Sequence, residues 1–292
     1  MKKILITGLN SYIGSSFETY LKQWPDKYSV DVIDMKNDSW KSKSFAGYDV
    51  VYHVAGIAHS DNGKISADKE KLYKMVNTDL AIEVAEKSKI DNVGQFIFMS
   101  SAIVYGNSGP IGKTKIITKE TKTNAANCYG DSKIQAENGI LPLESEKFKV
   151  AILRCPMIYG KGCKGNFSQL EKIAKKFPVF PKVKNERSML YIGNLVEFVR
   201  LIIEDEERGI FWPQNKEFSN TSDIVRTIRQ AQGKKTLSLK GLSWILKLLS
   251  HFCSLINKAF GNLVYEQSLS EYKNEYRLFS LEESIKIIEE TK

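Results

Sequence analysis

The first 160 residues alternate short apolar runs with longer stretches in which apolar residues recur at helical spacing. The short runs are rich in Ile, Val and Phe and predict strands, whereas the longer stretches predict helices. Strands separated by helices form parallel sheets covered on both faces, and right-handed crossovers wind such sheets in two directions. We therefore predict an α/β fold with a doubly wound parallel sheet. The predicted strands are 4–7, 30–34, 50–54, 96–100 and 150–154, and the predicted helices are 13–23, 72–87 and 132–141.

The loop between the first strand and the first helix contains two glycines. Gly8 permits a tight turn out of the strand, and Gly14 lets the helix pack close to the sheet. The helix N-terminus offers amide N–H groups and a partial positive charge to a pyrophosphate, as in Rossmann-type folds. Ser11 stands where such loops place their middle glycine, so its side chain either crowds the phosphates or turns away. A turn without a ligand is the alternative; the predicted contacts are Gly8, Asn10, Ser11, Tyr12, Ile13 and Gly14.

A carboxylate closes the second predicted strand. Asp34 lies 20 positions after Gly14 and can accept hydrogen bonds from both ribose hydroxyls of NAD, while it repels the 2′-phosphate of NADP. The residues that follow, Met35 and Lys36, form no arginine cluster. We therefore predict NAD as the cofactor, and Lys36 keeps NADP open as the alternative.

Three polar side chains form the candidate catalytic group. Tyr129 and Lys133 are four residues apart on a predicted helix, hence on one face. A nearby ammonium and a nicotinamide cation both lower the pKa of a phenol, so Tyr129 is predicted to exchange a proton with a sugar hydroxyl during hydride transfer. The strand at 96–100 runs into Ser100 and Ser101 at its carboxyl end, where doubly wound folds bind ligands. Ser101 is expected to bond the same substrate oxygen as Tyr129.

In this order along the chain, the motifs resemble those of the extended short-chain dehydrogenases. The similarity is to their NAD-dependent epimerase/dehydratase group, which includes UDP-glucose 4-epimerase and bacterial polysaccharide 4-epimerases and 4-ketoreductases. Thr7–Gly14, Asp49–Gly56 and Arg154–Gly160 match segments that flank the cofactor. The resemblance implies a catalytic triad of Ser101, Tyr129 and Lys133. It implies further cofactor contacts at Val54, Ala55, Gly56, Asn77, Ser100, Tyr129, Lys133, Pro156 and Ile158.

The same resemblance implies a substrate half. Asn166 matches an Asn that contacts the nucleotide-sugar phosphates, and Arg187 matches an Arg that binds the diphosphate. With Ser101, Ala102 and Tyr129 they form the predicted substrate site. We predict an NAD-binding Rossmann domain, and a smaller, mostly helical nucleotide-sugar domain. The first spans 1–160, with 188–206 rejoining it, and the second spans 161–187 and 207–292.

Two departures from the family pattern narrow the predicted reaction. Sugar 4,6-dehydratases of the family carry an Asp-Glu pair where this chain has Ala102 and Ile103, so a dehydratase is not expected. Many epimerases place a Lys where this chain has Ala58-His59. The predicted function is a UDP-hexose 4-epimerase that forms a transient 4-keto sugar for surface polysaccharide synthesis. An NAD(P)H-dependent UDP-4-keto-6-deoxyhexose reductase and a non-catalytic NAD-binding regulator are the alternatives.

Composition and charge add weaker expectations. The net charge of +9 is spread along the chain, which is typical of a solvated lysine-rich surface. No RNA-recognition motif or metal-ligand spacing occurs, so neither nucleic acid nor metal is predicted. The four cysteines are expected to be reduced thiols, and the sequence lacks a signal core, which favours the cytoplasm.

Two further expectations concern contacts with other molecules. The hydrophobic stretch at 243–260 predicts a helix that covers a pocket or packs into the core, and membrane contact is its alternative. Members of the resembled family pair through two helices of each subunit. A homodimer through 66–88 and 129–146 is the corresponding expectation.

Overall fold

The structure, a computed structural model, describes residues 1–58, 66–239, 241 and 260–290. His59 and the predicted helix at 243–260, apart from Phe260, lie outside the described residues. The strands are β1 (Lys2–Thr7), β2 (Tyr28–Ile33), β3 (Val50–His53), β4 (Gln95–Ser101), β5 (Lys115–Ile117), β6 (Lys149–Cys155), β7 (Met157–Tyr159), β8 (Val179–Pro181), β9 (Met189–Tyr191), β10 (Gly209–Phe211), β11 (Leu237–Leu239) and β12 (Leu263–Tyr265). The α-helices are α1 (Tyr12–Leu21), α2 (Ala67–Tyr73), α3 (Leu80–Ile90), α4 (Cys128–Ile140), α5 (Asn166–Lys176), α6 (Ile192–Glu204), α7 (Thr221–Ala231) and α8 (Leu281–Glu290).

The chain divides into two compact units. Unit 1 comprises 1–106, 122–155 and 196–212 and contains a six-stranded sheet in the order β10-β6-β4-β3-β1-β2. All neighbouring strands are parallel, which confirms the predicted fold class. The chain leaves β1 towards β2 on one side and continues through β3 on the other. The loops after β1 and β3 therefore flank the point where the winding direction changes, which is where such sheets bind ligands.

The centre of unit 1 is a packed apolar core. β3, β4 and β6 are buried over nearly their whole length, as expected for parallel strands covered on both faces. Helices α3 and α4 approach each other closely, since a Cβ on Gly139 would lie only 2.3 Å from Cδ1 of Ile82. This contact fixes α4, the helix that carries Tyr129 and Lys133, against its neighbour.

Unit 2 comprises 107–121, 156–195 and 213–292. Its described strands form three parallel pairs: β7 with β9, β5 with β12, and β8 with β11. Tyr159 ties β7 to the rest of the unit, because its hydroxyl bonds Ser284 at 2.7 Å and accepts from Nδ2 of Asn215 at 2.9 Å. Among the described residues, no helix combines the length and the apolar character that crossing a bilayer requires.

The units differ from the predicted domains at four places. Residues 156–160, predicted to end the Rossmann domain, group with unit 2. Residues 107–121 group with unit 2, because β5 pairs with β12. Residues 188–195 also group with unit 2, through the pairing of β9 with β7, and unit 1 resumes only at residue 196. In contrast, β10 adds an edge strand to the sheet of unit 1 by pairing with β6. The strands that cause these differences have three residues each, which is too short for their periodicity to be recognised in the sequence. The roles of the two units in binding stay predictions.

Candidate active site

The loop after β1 joins the ends of three strands. Gly8 adopts φ +111, a conformation that favours glycine, and its N–H donates to the carbonyl oxygen of Ile33 at 2.9 Å. A Cβ on Gly8 would lie 3.1 Å from the N and Cα atoms of Ala55. Val54 donates its N–H to the oxygen of Thr7 at 3.3 Å. The structure thus brings the predicted loop beside the Val54, Ala55 and Gly56 segment.

Ser11 is turned into the start of α1. Its hydroxyl accepts a hydrogen bond from the N–H of Gly14 at 3.1 Å and caps the helix. A Cβ on Gly14 would lie 2.5 Å from this hydroxyl and 3.0 Å from Cγ2 of Ile6. Only glycine at this position allows the helix, its cap and the sheet to approach one another this closely. Asn10 has φ +60, and Tyr12 and Ile13 form the first turn of α1. Of the two predicted orientations for Ser11, the structure shows the one that turns away.

Asp34 stands directly after β2, half-buried. Its Oδ1 accepts from the N–H of Lys36 at 3.0 Å. The carbonyl oxygen of the preceding residue, Ile33, accepts the hydrogen bond from the N–H of Gly8, so Asp34 directly follows a residue that is bonded to the glycine loop.

Asn77 ties the segment after β3 to helix α4. It is fully buried, and its side chain forms two hydrogen bonds with the backbone of Ile57. Its Oδ1 accepts from the N–H of Ile57 at 2.9 Å, and its Nδ2 donates to the carbonyl oxygen of Ile57 at 3.1 Å. Its Nδ2 also donates to Oγ of Ser132 at 3.2 Å. Residues Lys74–Asp79 form a π-helical turn between α2 and α3, where the sequence predicts one continuous helix. A Cβ on Gly56 would lie 3.1 Å from Oδ1 of Asn77 and 3.6 Å from Nζ of Lys133.

The predicted catalytic hydroxyls lie near each other at the end of β4. Ser101 is the last residue of that strand, and its side chain lies near enough to the phenol of Tyr129 to affect the pKa of that phenol. Tyr129 lies in the first turn of α4, whose N-terminus packs against the turn Ala102–Tyr105. The approach requires glycine at position 130, because a Cβ there would lie 2.9 Å from the oxygen of Ile103. The succession of β4, the turn after it and α4 therefore positions the two hydroxyls next to each other.

The pKa of Tyr129 is raised to about 12. Burial is the largest cause, and the hydrogen bond from Ser101 acts in the opposite direction. The ring of Tyr73, centred 5.9 Å from that of Tyr129, adds to the increase. The predicted lowering of this pKa is therefore wrong for the chain by itself, because burial outweighs it. A bound cation is needed to bring the phenol towards neutral pH.

Lys133 is buried on the same helix, with 6% of its surface exposed. Its ammonium donates to the oxygen of Met99 at 2.8 Å and lies 4.6 Å above the ring centre of Phe98. Burial lowers the pKa of Lys133 to about 8, and the nearby carboxylate of Glu137 opposes this shift. The ammonium is therefore poised to titrate near neutral pH.

Comparison with known proteins places this geometry in a family. The sequence profile of the NAD dependent epimerase/dehydratase family matches residues 4–211. The chain belongs to this family. It is accordingly an NAD-dependent enzyme of the epimerase/dehydratase class, and its cofactor is NAD.

Three similar proteins are epimerases. A UDP-glucose 4-epimerase of Vibrio cholerae is 27% identical over 270 residues, which cover 85% of this chain and 81% of that protein. An N-acetyl-alpha-D-glucosaminyl-diphospho-ditrans,octacis-undecaprenol 4-epimerase of Escherichia coli O157:H7 is 27% identical over 236 residues, covering 78% and 68%. The crystal structure of a UDP-glucuronic acid 4-epimerase from Bacillus cereus, with NAD, aligns with TM-score 0.72 and 18% identity over 97% of this chain and 94% of that one. This last likeness shows the fold.

The residues of this family member fit NAD. At Gly8 and Gly14 the loop approaches Ala55 and Ile6 too closely for a Cβ, and this tight turn leads directly into the N-terminus of α1, whose amides can face a pyrophosphate. Asp34 supplies a carboxylate at the next strand end, where a ribose can bond it. Gly56 faces the ammonium of Lys133, which a Cβ at this position would approach to 3.6 Å. These four residues would hold the dinucleotide across the carboxyl ends of β1, β2 and β3.

A buried polar network beside the triad escaped the sequence analysis. Glu137 forms hydrogen-bonded ion-pair contacts with Arg154, with Nη2 and Oε2 2.6 Å apart. The same carboxylate accepts from the hydroxyl of Ser100, and the cofactor contact predicted for Ser100 stays a prediction. Tyr105 accepts from Arg154 at 2.7 Å and from the indole of Trp212 at 2.6 Å. The available clue was spacing, since Glu137 follows Lys133 by four residues on α4.

His53 is a structural residue of β3. It is fully buried, its Nδ1 shares a 2.8 Å hydrogen bond with Oγ1 of Thr7, and its ring stacks on Phe96 and Phe98. Burial, helped by the charge of Lys133, lowers the pKa of His53 to about 3. The imidazole is therefore neutral at physiological pH.

The remaining predicted residues lie in unit 2. Pro156 and Ile158 follow the end of β6, and Asn166 is the exposed first residue of α5. Arg187 is half-buried, and its backbone pairs with Ser219. Burial lowers the pKa of the Arg187 guanidinium to about 10, where it is still charged at neutral pH. The cofactor contacts of Pro156 and Ile158 and the substrate contacts of Asn166 and Arg187 stay predictions.

Proposed function

We propose that this chain is a UDP-hexose 4-epimerase that forms a transient 4-keto sugar and serves surface polysaccharide synthesis. The observation that carries the proposal is the placement of Ser101, at the end of β4, beside the phenol of Tyr129 in the first turn of α4, one helical turn from the buried ammonium of Lys133. A relative acting on UDP-glucose, 27% identical over most of both chains, supports the substrate class.

The paired hydroxyls determine the proton chemistry. Bound NAD supplies a hydride acceptor and a positive charge. Ser101 lies beside the phenol of Tyr129, so both hydroxyls can bond the O4 hydroxyl of a hexose. Tyr129 accepts the O4 proton at its phenolic oxygen and later returns it, and Ser101 keeps the sugar oxygen in line. Lys133, held by Met99, adds positive charge that favours phenolate.

Loss of water from the sugar is disfavoured by the turn after β4. Dehydration across C5 and C6 needs an acid and a base, and Ala102 and Ile103 occupy the positions where family dehydratases carry them. Neither side chain can transfer a proton. The same hydroxyl pair therefore supports oxidation and reduction at C4 without elimination.

The 4-ketoreductase remains the second candidate. A Ser11 side chain that crowded the phosphates would loosen the cofactor and would favour this candidate. The hydroxyl of Ser11 instead caps α1, which supports a cofactor that stays bound through a full cycle. An epimerase needs such retention and a reductase does not.

We also propose that Asn166 and Arg187 bind the diphosphate of the substrate.

We further propose that the chain pairs as a homodimer through 66–88 and 129–146. Leu72 on α2 is 40% exposed and Met75 in the following π-helical turn is 54% exposed, which supports a contact at 66–88. Light scattering that gives the mass of one chain would contradict the dimer.

The experiment starts from the purified chain with no added cofactor. Cofactor released by denaturation is identified by mass, and UDP-glucose, UDP-N-acetylglucosamine and a UDP-4-keto-6-deoxyhexose are each followed by NMR. Because one relative acts on an undecaprenol-linked sugar, N-acetylglucosaminyl-diphospho-undecaprenol is a fourth substrate. We expect NAD to be released and a UDP-hexose to interconvert with its C4 epimer. Turnover only with stoichiometric NAD(P)H contradicts the epimerase and favours the reductase.

A further inference from the structure

Unit 2 exposes an unusual concentration of apolar side chains. Of the twelve large apolar side chains that the described residues leave exposed, five lie on α5, β8, β11 and the segment between α5 and β8. Their exposed fractions run from 41% to 61%. We call them the apolar patch: Ile173, Phe177, Val179, Leu237 and Leu239.

Two observations bring the segments that carry these side chains together. β8 and β11 pair so that Val179 faces Leu237 and Pro181 faces Leu239, while Phe180 points the other way and is buried. Arg229 then clamps α5 to the approach of β11. Its guanidinium donates to the oxygens of Ala174, Phe177 and Lys235 at 2.8–3.3 Å.

The rim of the apolar patch is strongly basic. Segments 172–184 and 232–239 contain seven lysines and no aspartate or glutamate. Lys175 is paired with Glu171 and with Glu289, the latter at 3.2 Å. Within the described residues, no acidic partner is found for the ammonium groups of the other six, which are Lys172, Lys176, Lys182, Lys184, Lys234 and Lys235.

We propose that the apolar patch and its lysines dock the protein on an anionic lipid surface. Aliphatic side chains enter the boundary between headgroups and acyl chains, and lysines around them attract the negative headgroups. Phe177 and Leu237 are the most exposed members of the patch and are placed to insert. The proposal concerns unit 2 alone and holds whichever sugar the enzyme takes.

Other occupants fit this surface less well. Nucleic-acid sites stack bases on several aromatic rings, and the patch has one, Phe177. A second copy of the chain would bring two lysine-rich rims together, which like charges oppose. Segment 240–259 of the chain, outside the described residues, is the third occupant, and the test below distinguishes it.

The test is flotation of the whole chain with two kinds of vesicle. We expect it to float with equimolar phosphatidylglycerol and phosphatidylcholine, but not with phosphatidylcholine alone, and to be released by high salt. Lys234→Glu with Lys235→Glu should weaken binding by about thirtyfold or more, since each lysine contributes about fivefold. Leu237→Asp should weaken it about tenfold. The matched control, Lys27→Glu with Lys43→Glu, makes the same charge change on exposed lysines of unit 1 and should bind as the parent does.

Turnover of a soluble UDP-sugar should be unchanged in every variant, because none of these residues belongs to the catalytic group. Absence of flotation with anionic vesicles overturns the proposal, and so does equal weakening in the control pair. Leu237→Asp that lowers the melting temperature and leaves flotation intact would assign the patch to segment 240–259. Light scattering that shows a dimer broken by Leu237→Asp, without flotation, would assign it to a second copy.

Discussion

The ammonium of Lys133 donates a hydrogen bond to the carbonyl oxygen of Met99 at 2.8 Å. Met99 lies two residues before Ser101 on β4, so one strand positions both the lysine and the serine of the catalytic group. The lysine is thereby held in place by the backbone of the sheet. This placement also buries it, which costs stability while it stays protonated.

The first prediction concerns stability against pH. The pKa of Lys133 is about 8 in the folded chain and about 10.4 in an unfolded one. Between these values the unfolded chain binds a proton that the folded chain lacks, so the free energy of unfolding rises with pH. Relative to Lys133→Met, the parent should gain up to about 3 kcal/mol across this window. Urea unfolding at several pH values measures this gain in the free energy of unfolding. The control is Lys89→Met at an exposed lysine, which should show the same pH dependence as the parent. Parallel curves for parent and Lys133→Met would exclude the shift.

The second prediction separates catalysis from binding. Tyr129→Phe removes the phenolic proton carrier and should lower kcat by about 10²- to 10⁴-fold, with NAD still bound. Tyr48→Phe is the control, because the hydroxyl of Tyr48 bonds Asp31 at an exposed site. NMR of sugar turnover gives kcat, and calorimetry gives the NAD affinity. Retention of full turnover in Tyr129→Phe would remove the phenol from the mechanism.

The third prediction concerns the buried pair of Glu137 and Arg154. Glu137→Gln leaves the guanidinium without its counter-charge and should lower the free energy of unfolding by about 3–5 kcal/mol. Because Glu137 raises the pKa of Lys133, its loss should also move the alkaline limb of activity to lower pH. Denaturant unfolding and a pH profile of kcat measure the two effects.

Two further variants keep this prediction decisive. If Glu137→Gln does not fold, Glu137→Met with Arg154→Met removes both charges and should regain most of the stability. Glu282→Gln breaks an exposed pair with Lys286 and should leave stability unchanged. A Glu137→Gln variant as stable as the Glu282→Gln control would show that the buried pair is unimportant.

The sequence predicted those features that depend on spacing along one element. Tyr129 and Lys133 share a helix face, and Gly14 sits where α1 approaches the sheet, because both follow from local periodicity. The pairing of β10 with β6 was not predictable, since three residues carry no period. Nor was the bond from Ser100 to Glu137, because it joins elements whose packing only the folded chain defines. The raised pKa of Tyr129 in the chain by itself was not predicted for the same reason, because burial is a tertiary property.

The last prediction concerns the start of α1. In Gly14→Ala the new Cβ would lie 2.5 Å from the hydroxyl of Ser11, which must leave its cap, and 3.0 Å from Ile6. We expect a loss of about 1–3 kcal/mol in the free energy of unfolding and weaker NAD binding, because the loop shifts with the helix. Adding Ser11→Gly removes the clashing hydroxyl and should recover part of the NAD affinity. Gly94→Ala, whose Cβ would meet its nearest atom at 3.4 Å, should change neither. Equal losses in Gly14→Ala and Gly94→Ala, by denaturant unfolding and calorimetry, would refute a specific role for the close approach at Gly14.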